Sequence, residues 1–125
     1  MPKLTGTQMK YLHVIYAALR SSDDVRCGDI SRQLGVSKAS ASRMTRVLAD
    51  FGLITVGKLG KVLLTPAGEA EGAAIHEKFT KLHPFFARYL ELEEQEAVDN
   101  AFSFLFLFSE DCVEKLLEKE WTITI

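Results

Sequence analysis

The sequence predicts a mainly α fold with a small β-hairpin wing: a winged helix-turn-helix over residues 1–65, then a helical dimerisation domain over residues 66–125. Three observations predict it. Two helical patterns are joined by the short connection Gly35-Val36-Ser37. A pair of β-prone runs flanks Gly57-Lys58-Leu59-Gly60 directly behind them. Charge is split unevenly: up to Leu64 ten Lys/Arg face four acids, and from Thr65 five bases face thirteen acids, giving +6 and −8.

Each element follows from local chemistry. Met9, Leu12, Ile15, Tyr16 and Leu19 are spaced for one helix face between Thr5 and Leu19, with Thr5 or Thr7 as its cap. Ser21-Ser22-Asp23-Asp24 is a turn. A short helix runs from Cys27 or Gly28 to Leu34, where Gly35 stops it and Ser37 caps the next. That next helix, Lys38 to Phe51, has an apolar stripe of Ala41, Met44, Val47, Leu48 and Phe51. Its other face carries Lys38, Ser40, Ser42, Arg43 and Arg46, with no acid before Asp50. Leu53 to Val56 and Lys61 to Thr65 form the hairpin.

Pro66 suits the first turn of a helix reaching about His83, and Pro84 interrupts that helix or restarts the next before Phe85, Phe86, Tyr89 and Leu90. Glu91, Glu93, Glu94 and Glu96 favour a further helix start. Phenylalanines at 102, 104, 106 and 108 alternate as in a strand, but the pattern leading into them is helical, so a helix is expected. Apolar all round, it needs burial on every side, which a partner chain supplies. Ser109 caps an amphipathic helix through Val113, Leu116 and Leu117, and Trp121 to Ile125 is a β-prone tail.

Composition excludes several classes. With 125 residues, 47% hydrophobic and 26% charged, the chain suits a compact globular domain. No apolar run reaches the ~18 residues of a membrane span, and the start lacks a signal-peptide layout. Cys27 and Cys112 fit neither a disulfide framework nor a CxxC site, so a reducing, cytoplasmic setting is expected. No nucleophile–base ordering, phosphate-cradling loop or zinc-ligand spacing is present, so no enzyme is expected.

Several motifs carry a resemblance. Leu12-x-x-Ile15-Tyr16, Val25-Arg26-x-x-Asp29-Ile30-x-x-x-Leu34-Gly35-Val36-Ser37, Ser40-x-Ser42-x-Met44-x-x-x-Leu48, Gly52-Leu53-Ile54 and Leu64-Thr65-x-x-Gly68 are similar to the metal-dependent repressors related to diphtheria toxin repressor and the manganese transport regulator. The similarity is good from Leu4 to Gly72 and one of layout beyond. The short wing separates the chain from multiple-antibiotic-resistance regulators, the second family it resembles. The resemblance implies a DNA-binding head, a dimerisation domain and a transition-metal site.

At the metal positions the chain departs. Where the family has an Asp or Met and then a Glu on the first helix, Lys10 and His13 stand; the post-wing His falls at Phe79, and the last ligand group at Ala101, Phe104 and Leu105. Phenyl rings do not ligate iron, manganese or zinc, and an ammonium repels a cation. No cofactor is therefore expected, although His13, His76, His83, Cys27 and Cys112 leave a different metal site open.

The expected activity is sequence-specific binding of double-stranded DNA by a homodimeric transcription regulator of repressor type. Ser37, Lys38, Ser40, Ser42, Arg43 and Arg46 would meet the major groove, and Lys58 and Lys61 the backbone. Phe102, Phe104, Leu105, Phe106 and Phe108 would pair the protomers. Two alternatives remain: gating by a small apolar effector among Phe79, Phe85, Phe86, Phe102 and Phe104, or a protein-interaction module without DNA binding.

Overall fold

The computed structural model describes residues 3–119; the expected Trp121–Ile125 strand lies outside them. Helix α1 (Gly6–Ser21) begins at a reciprocal capping box, in which Thr5 accepts from the Gln8 amide and Gln8 accepts from the Thr5 amide. It buries Met9, Tyr11, Leu12, Ile15 and Tyr16. Helix α2 (Cys27–Leu34) closes at Gly35, whose φ of 66° is left-handed backbone that glycine adopts without penalty. Gly35 N–H donates to Arg32 O and Val36 N–H to Ser31 O, a Schellman closure. The buried Ser31 hydroxyl donates to Val36 O at 2.8 Å and fixes the turn into α3 (Lys38–Asp50).

Strands β1 (Ile54–Val56) and β2 (Val62–Leu64) pair antiparallel, Ile54 opposite Leu64 and Val56 opposite Val62. A 3-10 turn over Lys58–Gly60 joins them. Val62 N–H donates to Val25 O at 2.8 Å, and Arg26 and Lys61 form an isolated antiparallel bridge, so the hairpin is pinned to the segment ahead of α2.

Helix α4 (Pro66–Pro84) starts at the Thr65 cap. The expected interruption at Pro84 is milder than its missing N–H suggests, because the chain continues as one π-helical turn over Phe85–Tyr89. The proline holds φ −61°, ψ −29°, ordinary helical values, and the wider turn closes from Leu90 N–H to Phe85 O at 3.0 Å. Helices α5 (Glu94–Leu107) and α6 (Glu110–Leu117) follow, capped by Glu93 and Ser109.

The Phe run is helical. In a helix its alternation resolves into two i,i+4 pairs, Phe102/Phe106 and Phe104/Phe108, on different faces. Phe104 and Phe108 stack with ring centroids 4.3 Å apart. Much of the surface expected to need a partner is covered within the chain: Phe102 is 2% exposed and Leu105 9%. One core cluster takes residues from both halves, including Leu12, Ile30, Leu48, Leu53, Leu82 and Phe102. Helix α1 joins the halves by packing on both α4 and α5.

Candidate nucleic-acid interface

Helix α3 is two-faced. Ala41, Thr45 and Leu48 are buried, whereas Lys38, Ser42, Arg43 and Arg46 are exposed. Thr45 is tolerated inside because its hydroxyl donates to Ser42 O at 3.0 Å. The two other serines have local duties. Ser37 Oγ accepts from the Ser40 amide at 3.0 Å as the N-cap, and Arg43 Nη2 donates to Ser40 Oγ at 3.2 Å. The hydroxyl most open to a ligand is therefore that of Ser42. Lys38, in a first turn that holds no acid, also adds to the positive end of the helix dipole. Arg43 lies close enough to the buried Tyr11 phenol to offset part of the upward push that burial gives its pKa.

Lys58 and Lys61 are exposed at the hairpin tip, as expected. Leu59 between them escaped sequence reasoning: it holds φ 59° and is 83% exposed, a large apolar side chain at the end of the wing. Arg26 was missed too. Its Nε donates to Asp24 Oδ1 at 3.2 Å and its Nη1 to Leu59 O at 3.4 Å, so it ties the wing tip to the head.

The positions the resemblance assigns to a metal lie where α1, α4 and α5 meet, but the set differs from the one expected. Lys10 Nζ pairs with Asp99 Oδ1 at 2.7 Å. The His13 ring lies against Phe79, centroids 4.8 Å apart, and Phe102, 5.7 Å apart. Its Nε2 shares a hydrogen bond with His76 Nδ1 at 2.9 Å. Ala101 and Leu105 are instead in the core, and Phe104 turns toward Phe108 and Phe86. The α5 residues facing Lys10 and His13 are thus Asp99 and Phe102. Sequence spacing gives the periodicity of α5, not its rotation against α1.

These residues do not fit a divalent ion. The ammonium already occupies the carboxylate, the imidazoles engage each other, and Phe79 and Phe102 offer no donor. Burial, and to a lesser extent His76, lower the His13 pKa to about 4. His83 is separate, bonded to Glu94 at 3.0 Å, while Cys27 meets Thr45 Oγ1 at 3.6 Å and Cys112 is exposed. Among the described residues no group of three or more His, Cys, Asp or Glu is placed to hold a metal. The aromatic cluster considered for an effector is filled by its own rings, with Phe79 stacked on Phe102 at 4.8 Å and Phe85 edge-on to Phe86 at 5.0 Å. A cavity of about 600 Å³ opens beside this junction, between α1, α3 and α5, lined in part by Lys10, Tyr11, Arg43, Met44, Asp99 and Phe102.

The residues expected to pair protomers divide into three groups. Phe102 and Leu105 are core, Phe104 and Phe106 are half-buried, and Phe108 is 47% exposed. Lys3 partly covers Phe106, donating to its carbonyl at 2.7 Å with the ammonium 5.3 Å from the ring centre. Beside Phe108, Leu107 is 71% exposed, and sequence reasoning missed it.

Residues 3–61 match the family model described as iron dependent repressor, N-terminal DNA binding domain. The chain is similar to the manganese regulator SloR (22% identity, TM-score 0.75, 89% of this chain and 52% of that one). It is also similar to a manganese-dependent transcriptional repressor in complex with manganese (28% identity, TM-score 0.69, 89% and 52%). A third similar structure is IdeR of T. acidophilum (20% identity, TM-score 0.69, 94% and 55%). The chain spans about half the length of these proteins. No curated protein matches it by sequence.

Proposed function

We propose that the chain is a cytoplasmic, homodimeric, sequence-specific DNA-binding transcription regulator of repressor type, a reading supported by the match of residues 3–61 to the iron dependent repressor, N-terminal DNA binding domain. It carries out no catalysis and works without the ion its relatives use. The observation that carries this reading is the exposed face of α3. Lys38, Ser42, Arg43 and Arg46 are open to solvent on a helix whose opposite side is locked into the core, and Lys58 and Lys61 flank it on the wing. A helix anchored this way presents its cations rigidly, which reading a major groove requires. A protein-interaction module has no need of six excess cations in its first half.

Arginine grips guanine O6 and N7 together, worth ~1–3 kcal/mol of discrimination, whereas wing lysines neutralise phosphates of any sequence. Arg43→Ala should therefore weaken binding to a selected duplex more than to a random one. Lys58→Ala should weaken both equally and reduce the slope of log affinity against log salt by about 1. Fluorescence anisotropy on duplexes selected from a random pool reads both effects. If the parent binds no duplex at low salt, or if neither variant differs from it, the assignment fails.

A further inference from the structure

Three helices each bring an i,i+3 pair to one junction: Lys10 and His13 from α1, His76 and Phe79 from α4, Asp99 and Phe102 from α5. Helix α1 and its lead-in lie antiparallel along α5 over a longer track. Lys3 reaches the Phe106 carbonyl, a Cβ on Gly6 would stand 3.1 Å from the Phe102 carbonyl, and Lys10 meets Asp99. The helix that supports the reading head is thereby seated on the C-terminal helices at three successive turns. The similar manganese-dependent repressor was solved with manganese bound.

We propose that the Lys10 ammonium is the resident cation of this junction, a covalently tethered positive charge that links α1 to α5 through Asp99 and keeps divalent ions out. This rests on the reading above for its consequence in DNA binding, but not for its chemistry. A divalent ion bridges helices by drawing donors from each to one positive centre. Lys10 Nζ does the same for α1 and α5, with its stem packed at the helix interface and its head on the carboxylate. The remaining potential donors, His13 and His76, engage each other at 2.9 Å, and the stacked Phe79 and Phe102 rings beside them offer no ligand. A second positive charge at Asp99 would meet the ammonium at close range, on a carboxylate whose Oδ1 already accepts from Lys10 and Gln95. The link is permanent, so the head stays seated whatever the metal supply.

Exchanging that single residue tests the proposal. Lys10→Asp leaves two carboxylates and two imidazoles at the junction, a donor set suited to first-row divalent ions. The expected results are these. The parent chain shows no cobalt(II) d–d absorption and no change in melting temperature with 1 mM manganese(II). Lys10→Asp gains both a cobalt(II) spectrum and a manganese-dependent rise in melting temperature. His13→Ala added to it removes both. Duplex affinity of Lys10→Asp rises at least fivefold with manganese, while that of the parent is unchanged. Lys10→Met, which keeps the length but not the charge, binds duplex severalfold more weakly, and manganese does not restore it.

A cobalt spectrum or a saturable melting shift in the parent overturns the proposal, as does a folded Lys10→Asp chain that takes up neither ion. If Lys10→Asp does not fold, the parent's response to cobalt and manganese, together with the duplex affinity of Lys10→Met, decides the matter. Should the parent bind no duplex at all, the functional reading above is lost, whereas the spectra and melting curves still judge Lys10.

Discussion

Two side chains sit on left-handed backbone that normally favours glycine, Leu59 with φ 59° and Glu91 with φ 58°. Glu91 follows the π-helical turn, and the chain reverses around it so that Leu92 N–H reaches Phe86 O at 3.0 Å. Glu91→Gly relieves the clash between Cβ and carbonyl, and urea unfolding should show a gain of about 1 kcal/mol. His13 gives the second test at this scale. Its folded pKa of about 4 lies below the ordinary 6.5, so the unfolded chain takes up a proton before the folded one does. The stabilisation is present above pH 6.5 and is lost as pH falls toward 4, with a slope approaching ~1.4 kcal/mol per pH unit. The groups packed on this imidazole are His76 and Phe79 from α4 and Phe102 from α5, with Lys10 one turn away on its own helix. His13→Phe should flatten that part of the pH profile, and a variant as acid-sensitive as the parent refutes the assignment.

Among the elements, α4 is held where it is by the absence of side chains. A Cβ on Gly68 would stand 1.8 Å from the Leu53 carbonyl, and one on Gly72 2.8 Å from the Tyr16 ring. Backbone cannot step aside as a flexible side chain can, so Gly68→Ala should cost at least ~3 kcal/mol by thermal or urea unfolding, and Gly72→Ala less, because the ring can turn. The contrast also marks what the sequence makes legible. Thr5, Ser37 and Ser109 each announce a helix start by capping chemistry that acts within three residues, and all three cap the helices they precede. Gly35 likewise marks the turn before α3. Contacts set by how helices rotate against one another were not legible. The pairing of Lys10 with Asp99 and the burial of Phe102 and Leu105 depend on the roll of α5, which local periodicity leaves free. Pro84 ends α4 where the sequence places the interruption, and the π-helical turn Phe85–Tyr89 that carries the chain past it has no local signature.

For the molecule as a whole, the two opposite charge excesses divide the labour: +6 up to Leu64 and −8 beyond it. On the proposed function, the acidic half would be repelled by phosphate and stay clear of DNA, which would leave it free to pair protomers. The apolar surface available for pairing is narrower than the alternating Phe run suggests, since Phe102 and Leu105 are already spent inside the chain. Of that run the C-terminal end stays open, where Leu107 is 71% exposed and Phe108 47%, and Tyr89 and Leu90 are exposed elsewhere in this half. Burying a side chain of this size against a partner is worth about 1.5–3 kcal/mol, and a twofold axis doubles the set. Such an interface needs no ion. The parent should therefore run as a dimer in EDTA by light-scattering chromatography, with the same mass after manganese is added. Leu107→Asp combined with Phe108→Asp should yield folded monomers that bind one half-site but lose the added affinity of a palindrome. Helical circular dichroism equal to that of the parent separates this outcome from unfolding. A double variant that stays dimeric moves the interface away from this end, and a parent that dimerises only with manganese restores the ion to the assembly and removes the reason for Lys10 to stand alone.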